Sequence, residues 1–304
     1  MSPSHSAGPD MHKISPYYGY IPSLSVTIIF TILFAFSTII HLGQSIRYKL
    51  RYLLYTAVAA GLFEITGWAA RLYSHYHPDK LGPYLVQTVT TINGPTPLVA
   101  AYFVILAEII RRLGPCYSRL RPKLYAIVFV IADLVALSVQ GVGGALAAIA
   151  AGNHKNPEKG GRIMLGGIVF QMLAITIYMG LAVEFVYRFW SNKPFKGRDD
   201  VPPSGRYTLD HSIKLMLVGS TLSSLMIYVR SVYRTIELVD GWGGRIIKNE
   251  LYFDVMDGAM IVASMYCLNI FHPGRLLGPG GTPAKGVASL NLSADSLEKT
   301  KETV

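Results

Sequence analysis

Charge is scarce in this chain. Only 15% of its 304 residues are Asp, Glu, Lys or Arg, against about 25% in soluble domains, too few to cover a water-soluble globule of this length. Cysteine is scarcer still. Cys116 and Cys267 supply no disulfide framework; Cys267 reads as a small core residue and Cys116, in a basic loop, as a candidate palmitoylation site. No G-x-x-x-x-G-K-[ST] run occurs, so a P-loop cannot be the source of work here. The eight histidines are scattered, whereas metal-assisted lipid hydrolysis needs His and carboxylate ligands that converge. His75-x-His77 reads as an interfacial pair, and neither a metal site nor a cofactor is expected. His41 and His272 would meet only if the first and last apolar blocks were neighbours. A structural pair is then the simpler reading, with haem ligation the alternative.

What the chain does have is apolar sequence in long blocks. Hydrophobic residues make up 51% of it and its mean hydropathy is +0.36. A helix needs about 20 apolar residues to cross about 30 Å of hydrocarbon. Seven blocks qualify: 21–45, 52–74, 83–110, 124–150, 163–187, 209–233 and 251–271. The first is too long for the apolar core of a signal peptide and reads as a span. The expected fold is therefore all-α, a polytopic membrane protein of seven transmembrane helices. Gly94-Pro95 and Pro97 interrupt the third block and predict a kink there.

The net charge of +10 points to no nucleic-acid partner, because the Lys and Arg residues sit in short loops between blocks rather than along a stripe. With the N-terminus outside, seventeen Lys and Arg residues fall in cytosolic segments and eight in external ones, so the positive-inside rule predicts N-out and C-in. The domains expected are an external segment 1–20, a membrane domain 21–273 and a disordered cytosolic tail 274–304. Tyr17, Tyr18 and Tyr20 fit an interfacial aromatic belt, and 192–206 reads as a mobile inner loop.

Ionisable groups inside spans are costly and normally face a partner or a wet cavity. Glu64 and Arg71 lie seven residues apart in the second block, as do Asp133 and Gln140 in the fourth. Arg230, Arg234 and Glu237 form one helical stripe in the sixth block, and Glu250, Asp254 and Asp257 another in the seventh. With Gln87 and Gln171, most of these fall in the outer half, which predicts a polar cavity open to the outside and lined by both signs of charge. Pairs such as Arg230 with Asp257, or Glu64 with Arg71, would serve as helix locks. Glu108, Glu184 and Lys214, near inner helix ends, need only snorkel. Gly141, Gly143, Gly144, Gly166 and Gly167 predict close helix packing.

Taken in order, these motifs resemble the fungal lipid-translocating exporter family, also called RTA-like. The resemblance runs from Tyr18 to Gly274. It includes Tyr18-Gly19-Tyr20-Ile21-Pro22-Ser23, the run Phe63-Glu64-Ile65-Thr66-Gly67-Trp68-Ala69-Ala70-Arg71, Pro83-Tyr84 with Gln87, and Asp133 with Gln140, Gly143 and Gly144. It ends with Arg230-Ser231, Arg234, Glu237, Glu250, Asp257 and His272-Pro273-Gly274. Three positions depart from the family pattern: Asp254 in place of an aromatic, Asn93-Gly94 before Pro95, and Ala136 in place of a serine. The resemblance implies a plasma-membrane exporter of lipids or small amphiphiles such as sphingoid long-chain bases or sterol-like toxins, contributing to resistance. Without a P-loop motif, active transport would draw on an ion or lipid gradient or on a partner. The partners implied are membrane lipids and amphipathic small molecules. The candidate cavity residues, read from the spans themselves, are Glu64, Arg71, Gln87, Asp133, Gln140, Gln171, Arg230, Arg234, Glu237, Glu250, Asp254 and Asp257.

Two other function classes compete with export. A seven-helix receptor or stress sensor fits the same topology, although Arg111-Arg112-Leu113 stands where an acid-Arg-Tyr motif would be and the last block has no N-P-x-x-Y. A membrane enzyme, or a haem or porphyrin carrier, would need the histidines to converge.

Overall fold

The computed structural model describes residues 15–153, 155–195, 210–241 and 244–278. The expected tail beyond residue 278, the first fourteen residues and most of the expected inner loop lie outside the described residues. Among the described residues there is no strand. Eight helices follow in order: α1 Leu24–Arg47, α2 Arg51–Tyr76, α3 Leu81–Asn93, α4 Pro95–Leu113, α5 Pro122–Gly152, α6 Glu158–Trp190, α7 His211–Asp240 and α8 Glu250–Leu276. The last is interrupted at Phe271-His272 before its final turn. Six of them, all but α3 and α4, are long and apolar enough to cross a membrane. The chain is thus a helical membrane protein that crosses more than once.

The helices outrun the apolar blocks because backbone hydrogen bonding continues past the point where charged side chains begin. α5 has 31 residues and α6 has 33. At 1.5 Å per residue they are roughly 45–50 Å long, so they tilt or project beyond a hydrocarbon layer of about 30 Å. Their outward faces show what surrounds them. On α1 the buried positions are mostly polar and small (Thr27, Ser37, Thr38, His41 and Ser45), while Ile32, Phe36 and Ile39 are 57–67% exposed. That pattern is inverted relative to a soluble helix, and hydrocarbon is the medium that rewards it.

The helices close into a ring in which α1 packs on both α2 and α8, with α4 running through the middle against α2, α5, α6 and α7. Twelve of the 19 residues of α4 are buried, among them Tyr102, Phe103 and Ile109, which anchor the apolar core with Phe34, Trp68, Phe129 and Tyr178. The expected interruption falls between α3 and α4. Gly94 keeps helical dihedrals (φ −52°, ψ −48°), so the two segments continue one another. What changes there is hydrogen bonding: Pro95 has no N–H, and the carbonyl of Thr91 is left without its partner four residues on.

The broadest helix contact is between α5 and α6, and glycine makes it possible. A Cβ on Gly143 would lie 2.3 Å from the Met164 nitrogen, and one on Gly160 would lie 2.3 Å from the Ala147 nitrogen. Gly167 approaches the Ala136 carbonyl in the same way, whereas Gly141 and Gly166 face open space. Gly160→Val should therefore force α5 and α6 apart and cost about 3 kcal/mol, the upper end for overpacking. Gly141→Ala should leave the thermal midpoint in detergent unchanged. Equal midpoints for both variants would contradict the backbone contact.

Two smaller expectations change. Cys116 is buried, because its turn, Pro115–Tyr117, packs under α4 and α6; it does not present a thiol for acylation. Glu108 and Glu184 do more than snorkel: Glu108 pairs with Arg111 and Arg112, and Glu184 with Arg119 and Arg188.

Candidate functional site

The segment ahead of α1 folds back over the bundle end. Ser15 Oγ donates to the Pro78 carbonyl at 2.6 Å, and Tyr18 OH donates to Gln87 Oε1 at 2.5 Å. Tyr18 is buried rather than part of an interfacial belt, and burial pushes its hydroxyl up to about 12, so it stays protonated and keeps donating.

Beneath that cover lies Arg71, only 1% exposed. Its Nη2 donates to Tyr20 OH at 3.1 Å and to Glu250 Oε1 at 2.8 Å, with Asp254 Oδ1 at 3.6 Å. The Phe253 ring lies 4.7 Å from the guanidinium carbon, with Tyr18, Tyr20 and Trp68 at 5.5–5.7 Å. A delocalised cation between ring faces is the arrangement in which cation–π attraction is strongest, since water is excluded. Glu250 Oε1 also accepts from the Ser23 backbone N–H at 2.6 Å, so one carboxylate ties α8 to α2 and to the start of α1.

A second cluster lies deeper. Asp257 holds Arg234 with both oxygens, at 3.0 Å to Nε and 2.6 Å to Nη2, and Arg230 Nε lies 2.6 Å from its Oδ1. Arg234 Nη1 donates to Glu237 Oε2 at 2.9 Å. Arg230 Nη2 donates to the Thr91 carbonyl at 2.5 Å and Arg234 Nη2 to Thr91 Oγ1 at 3.1 Å. The carbonyl freed by Pro95 is thus taken by Arg230, which joins the interruption in the α3–α4 rod to the charge cluster. Glu64 lies within electrostatic range of Asp257, Arg230 and Arg234. Its Oε1 packs against Gly94, where a Cβ would approach to 2.5 Å, and that oxygen has no hydrogen-bond partner.

The predicted pairs therefore divide. Arg230 does meet Asp257. Glu64 does not pair with Arg71: two helical turns separate them along α2, and Arg71 turns instead to the carboxylates of α8. Glu250, Asp254 and Asp257 do not act together either. The first two serve Arg71 and the third serves α7, and Asp254 and Asp257 both lie in the π-helical stretch Asp254–Ala259. The wider turn shifts the register of Asp257 relative to an α-helix, and such bulges often occur where function requires an unusual side-chain placement.

The twelve residues do not share one open hollow. Arg71, Gln87, Arg234 and Glu237 line a cavity of about 30 Å³ together with Tyr18, Tyr20 and Phe253, room for little more than a water molecule. The charged groups fill the space themselves. Asp133, Gln140 and Gln171 stand apart, between α4, α5 and α6. Gln140 Nε2 donates to Gln171 Oε1 at 3.0 Å, and Gln171 Nε2 donates to Thr96 Oγ1 at 2.9 Å. Asp133 lies beside Gln171, yet neither of its buried oxygens is in hydrogen-bonding geometry. Tyr18, Tyr20, Thr91 and Thr96 were missed as site residues. The Tyr18-Gly19-Tyr20 run was the available signal for the first two, and nothing local marks the threonines.

His41 and His272 do come close, since α1 and α8 are neighbours, and both are buried. His41 Nε2 contacts the Met265 carbonyl at 3.2 Å, and His272 Nδ1 accepts from the Gly274 N–H at 3.1 Å. Among the described residues no group of three or more His, Cys, Asp or Glu is placed to hold a metal ion.

Comparison with known proteins adds a family. The chain is 25% identical over 283 residues to the sphingoid long-chain base transporter RSB1 of Saccharomyces cerevisiae, which covers 86% of this chain and 74% of the relative. It is 27% identical over 266 residues to Protein RTA1 of the same yeast, covering 79% and 80%. It is 25% identical over 293 residues to the lipid-translocating exporter-like protein RTA1 of Leptosphaeria maculans, covering 90% of this chain and 54% of that one. No solved structure matches it. The family model described as RTA1 like protein matches residues 57–279, most of the bundle and both charge clusters, and the chain belongs to that family.

Proposed function

We propose that this chain is a plasma-membrane exporter of lipids or small amphiphiles, with a headgroup amine as the feature its site is suited to meet. The relatives named as a sphingoid long-chain base transporter and a lipid-translocating exporter support this reading. In it the α3–α4 rod supplies a seventh crossing beside the six apolar helices, and the excess of Lys and Arg in the segments on one side of the membrane supports a cytosolic carboxy-terminus.

The observation that carries the proposal is the charge balance of the buried layer. Three guanidiniums (Arg71, Arg230 and Arg234) stand among five carboxyl groups (Glu64, Glu237, Glu250, Asp254 and Asp257). Such a layer has an excess of two negative charges if all are ionised, and hydrocarbon surroundings demand that the excess be offset by protons or by a cation. Glu64 Oε1 and Asp254 Oδ1, both without hydrogen-bond partners, are where an ammonium group or a proton would be received. Exchange between the two gives the protein a way to couple amphiphile movement to a proton gradient.

Reconstitution in liposomes with fluorescent sphingoid base, phospholipid and haem side by side tests the reading. Base flux is expected, falling at least ten-fold in Glu64→Gln at equal reconstitution. Flux of none of the three compounds would overturn it. A single cysteine introduced at Lys80 should react with an impermeant reagent on intact cells, and one at Lys123 only after permeabilisation; the reverse would overturn the orientation.

A further inference from the structure

A second cavity lies away from the charge clusters, toward the opposite end of the bundle. Its volume is about 360 Å³, and it opens sideways between α6 and α7 over a floor of α4. Its walls are apolar, with Leu106 and Ile109 beneath and Val183, Tyr187 and Trp190 at the rim, where they are 60–74% exposed. α6 and α7 touch at Thr235 and Met172 in the other half, so the groove is a local opening.

Two features point to an occupant. The first is size. The lining residues of α6 run from Tyr178 to Trp190, a length of about 18 Å at 1.5 Å per residue, close to half of a hydrocarbon layer of about 30 Å. The groove therefore spans one leaflet. An apolar cavity of about 150 Å³ accepts benzene, so this one holds on the order of a dozen carbons, one chain rather than two.

The second is Ser220. It is 7% exposed and lines the groove, and its Oγ has no hydrogen-bond partner. Other hydroxyls of the same helix satisfy themselves on the carbonyl four residues back, Ser231 on Ile227 and Thr235 on Ser231. Ser220 does not. A buried hydroxyl left unpaired in hydrocarbon costs free energy that a ligand group can recover, and a purely hydrocarbon neighbour cannot supply it.

We propose that this groove binds the chain of a single-chain amphiphile from the leaflet at the carboxy-terminal end, with a hydroxyl or amino group of the ligand bonded to Ser220. It deepens the export reading by giving the substrate a loading site, and its own test is binding rather than flux. The probe is a hexadecyl amino alcohol carrying a diazirine in its chain, added to full-length protein in phosphatidylcholine nanodiscs, with adducts mapped by mass spectrometry. Labelling should concentrate on 178–190 and 217–224, and Ala182→Trp, which fills the groove, should remove it while α1 labelling persists. Ser220→Ala should weaken saturable labelling about five-fold, the loss expected for one hydrogen bond.

Labelling spread evenly over the lipid-facing helices of the wild type would overturn the proposal, whatever the variants do. So would competition by a two-chain phospholipid as strong as that by the unlabelled amino alcohol. Confined labelling without liposome flux would leave the groove standing and remove the export reading.

Discussion

Asp257→Asn should cost the folded bundle about 3–5 kcal/mol, the range for breaking a buried pair by removing one partner. Asp257 is 2% exposed and is in contact with two guanidiniums, Arg230 at 2.6 Å and Arg234 at 2.6 Å. An amide in its place still accepts one hydrogen bond but removes the carboxylate that bridges the two guanidiniums. The consequence goes beyond stability. Arg230 also holds the Thr91 carbonyl that Pro95 leaves free, so an unbalanced Arg230 loosens the α3–α4 rod at its interruption. Combining Asp257→Asn with Arg230→Gln should recover part of the loss, because the second change removes one of the stranded charges. Residues sharing a partner typically couple by about 0.5–3 kcal/mol. Thermal unfolding in detergent across the four proteins of the cycle measures this. Additive losses would show that the arginines and Asp257 act independently. The two-arginine contact makes a folding defect the expected result.

Arg71→Met should be as damaging, and in a different place. The side chain is fully enclosed by Tyr18, Tyr20, Trp68 and Phe253 and bonded to Tyr20 and Glu250. Methionine keeps much of the apolar contact but strands Glu250 and Asp254. Glu250 is also the acceptor for the Ser23 N–H, so the start of α1 and the segment over the bundle end should loosen together. A loss of about 3–5 kcal/mol is expected, with faster hydrogen exchange at 18–24 than at the α5–α6 contact. Arg71→Lys should fall in between, because an ammonium keeps the charge but cannot reproduce the planar fork or lie flat between rings. Unchanged exchange at 18–24 in Arg71→Met would show that the segment is held by Ser15 and Tyr18 alone.

Both predictions depend on contacts between helices, and the divide between what was readable and what was not runs along the same line. Six of the seven apolar blocks coincide with helices long and apolar enough to cross a membrane, because a backbone in hydrocarbon must satisfy its own hydrogen bonds, and that requirement is local. The interruption at Gly94-Pro95 was readable because a missing N–H is a property of one residue. The contact of Arg230 with Asp257 was readable as complementary stripes on the last two long helices. The pairing of Glu64 with Arg71 was misread, since sharing a face two turns apart does not bring two side chains into contact.

The glycine pattern shows the boundary most clearly. Five glycines in α5 and α6 look alike in sequence, yet Gly143 and Gly167 meet a neighbouring backbone while Gly141 and Gly166 meet nothing. Which of them matter depends on how each helix is rotated, and rotation is set by all the neighbours at once. The same applies to Asp254, a departure from the family pattern. It lies at the start of the π-helical stretch and pairs with Arg71, a role that its position in the chain does not announce.

The amino acids alone settled that this is a multi-span helical membrane protein and to which family it bears a likeness. Apolar length, proline chemistry and charge content are each carried by contiguous residues. The ring order of the helices, the burial of Tyr18 over Arg71, the separation of Asp133, Gln140 and Gln171 from the charged layer, and the groove at Ser220 were decided only by tertiary packing. Each depends on side chains from three or more helices meeting at one depth, and no stretch of sequence holds that information by itself.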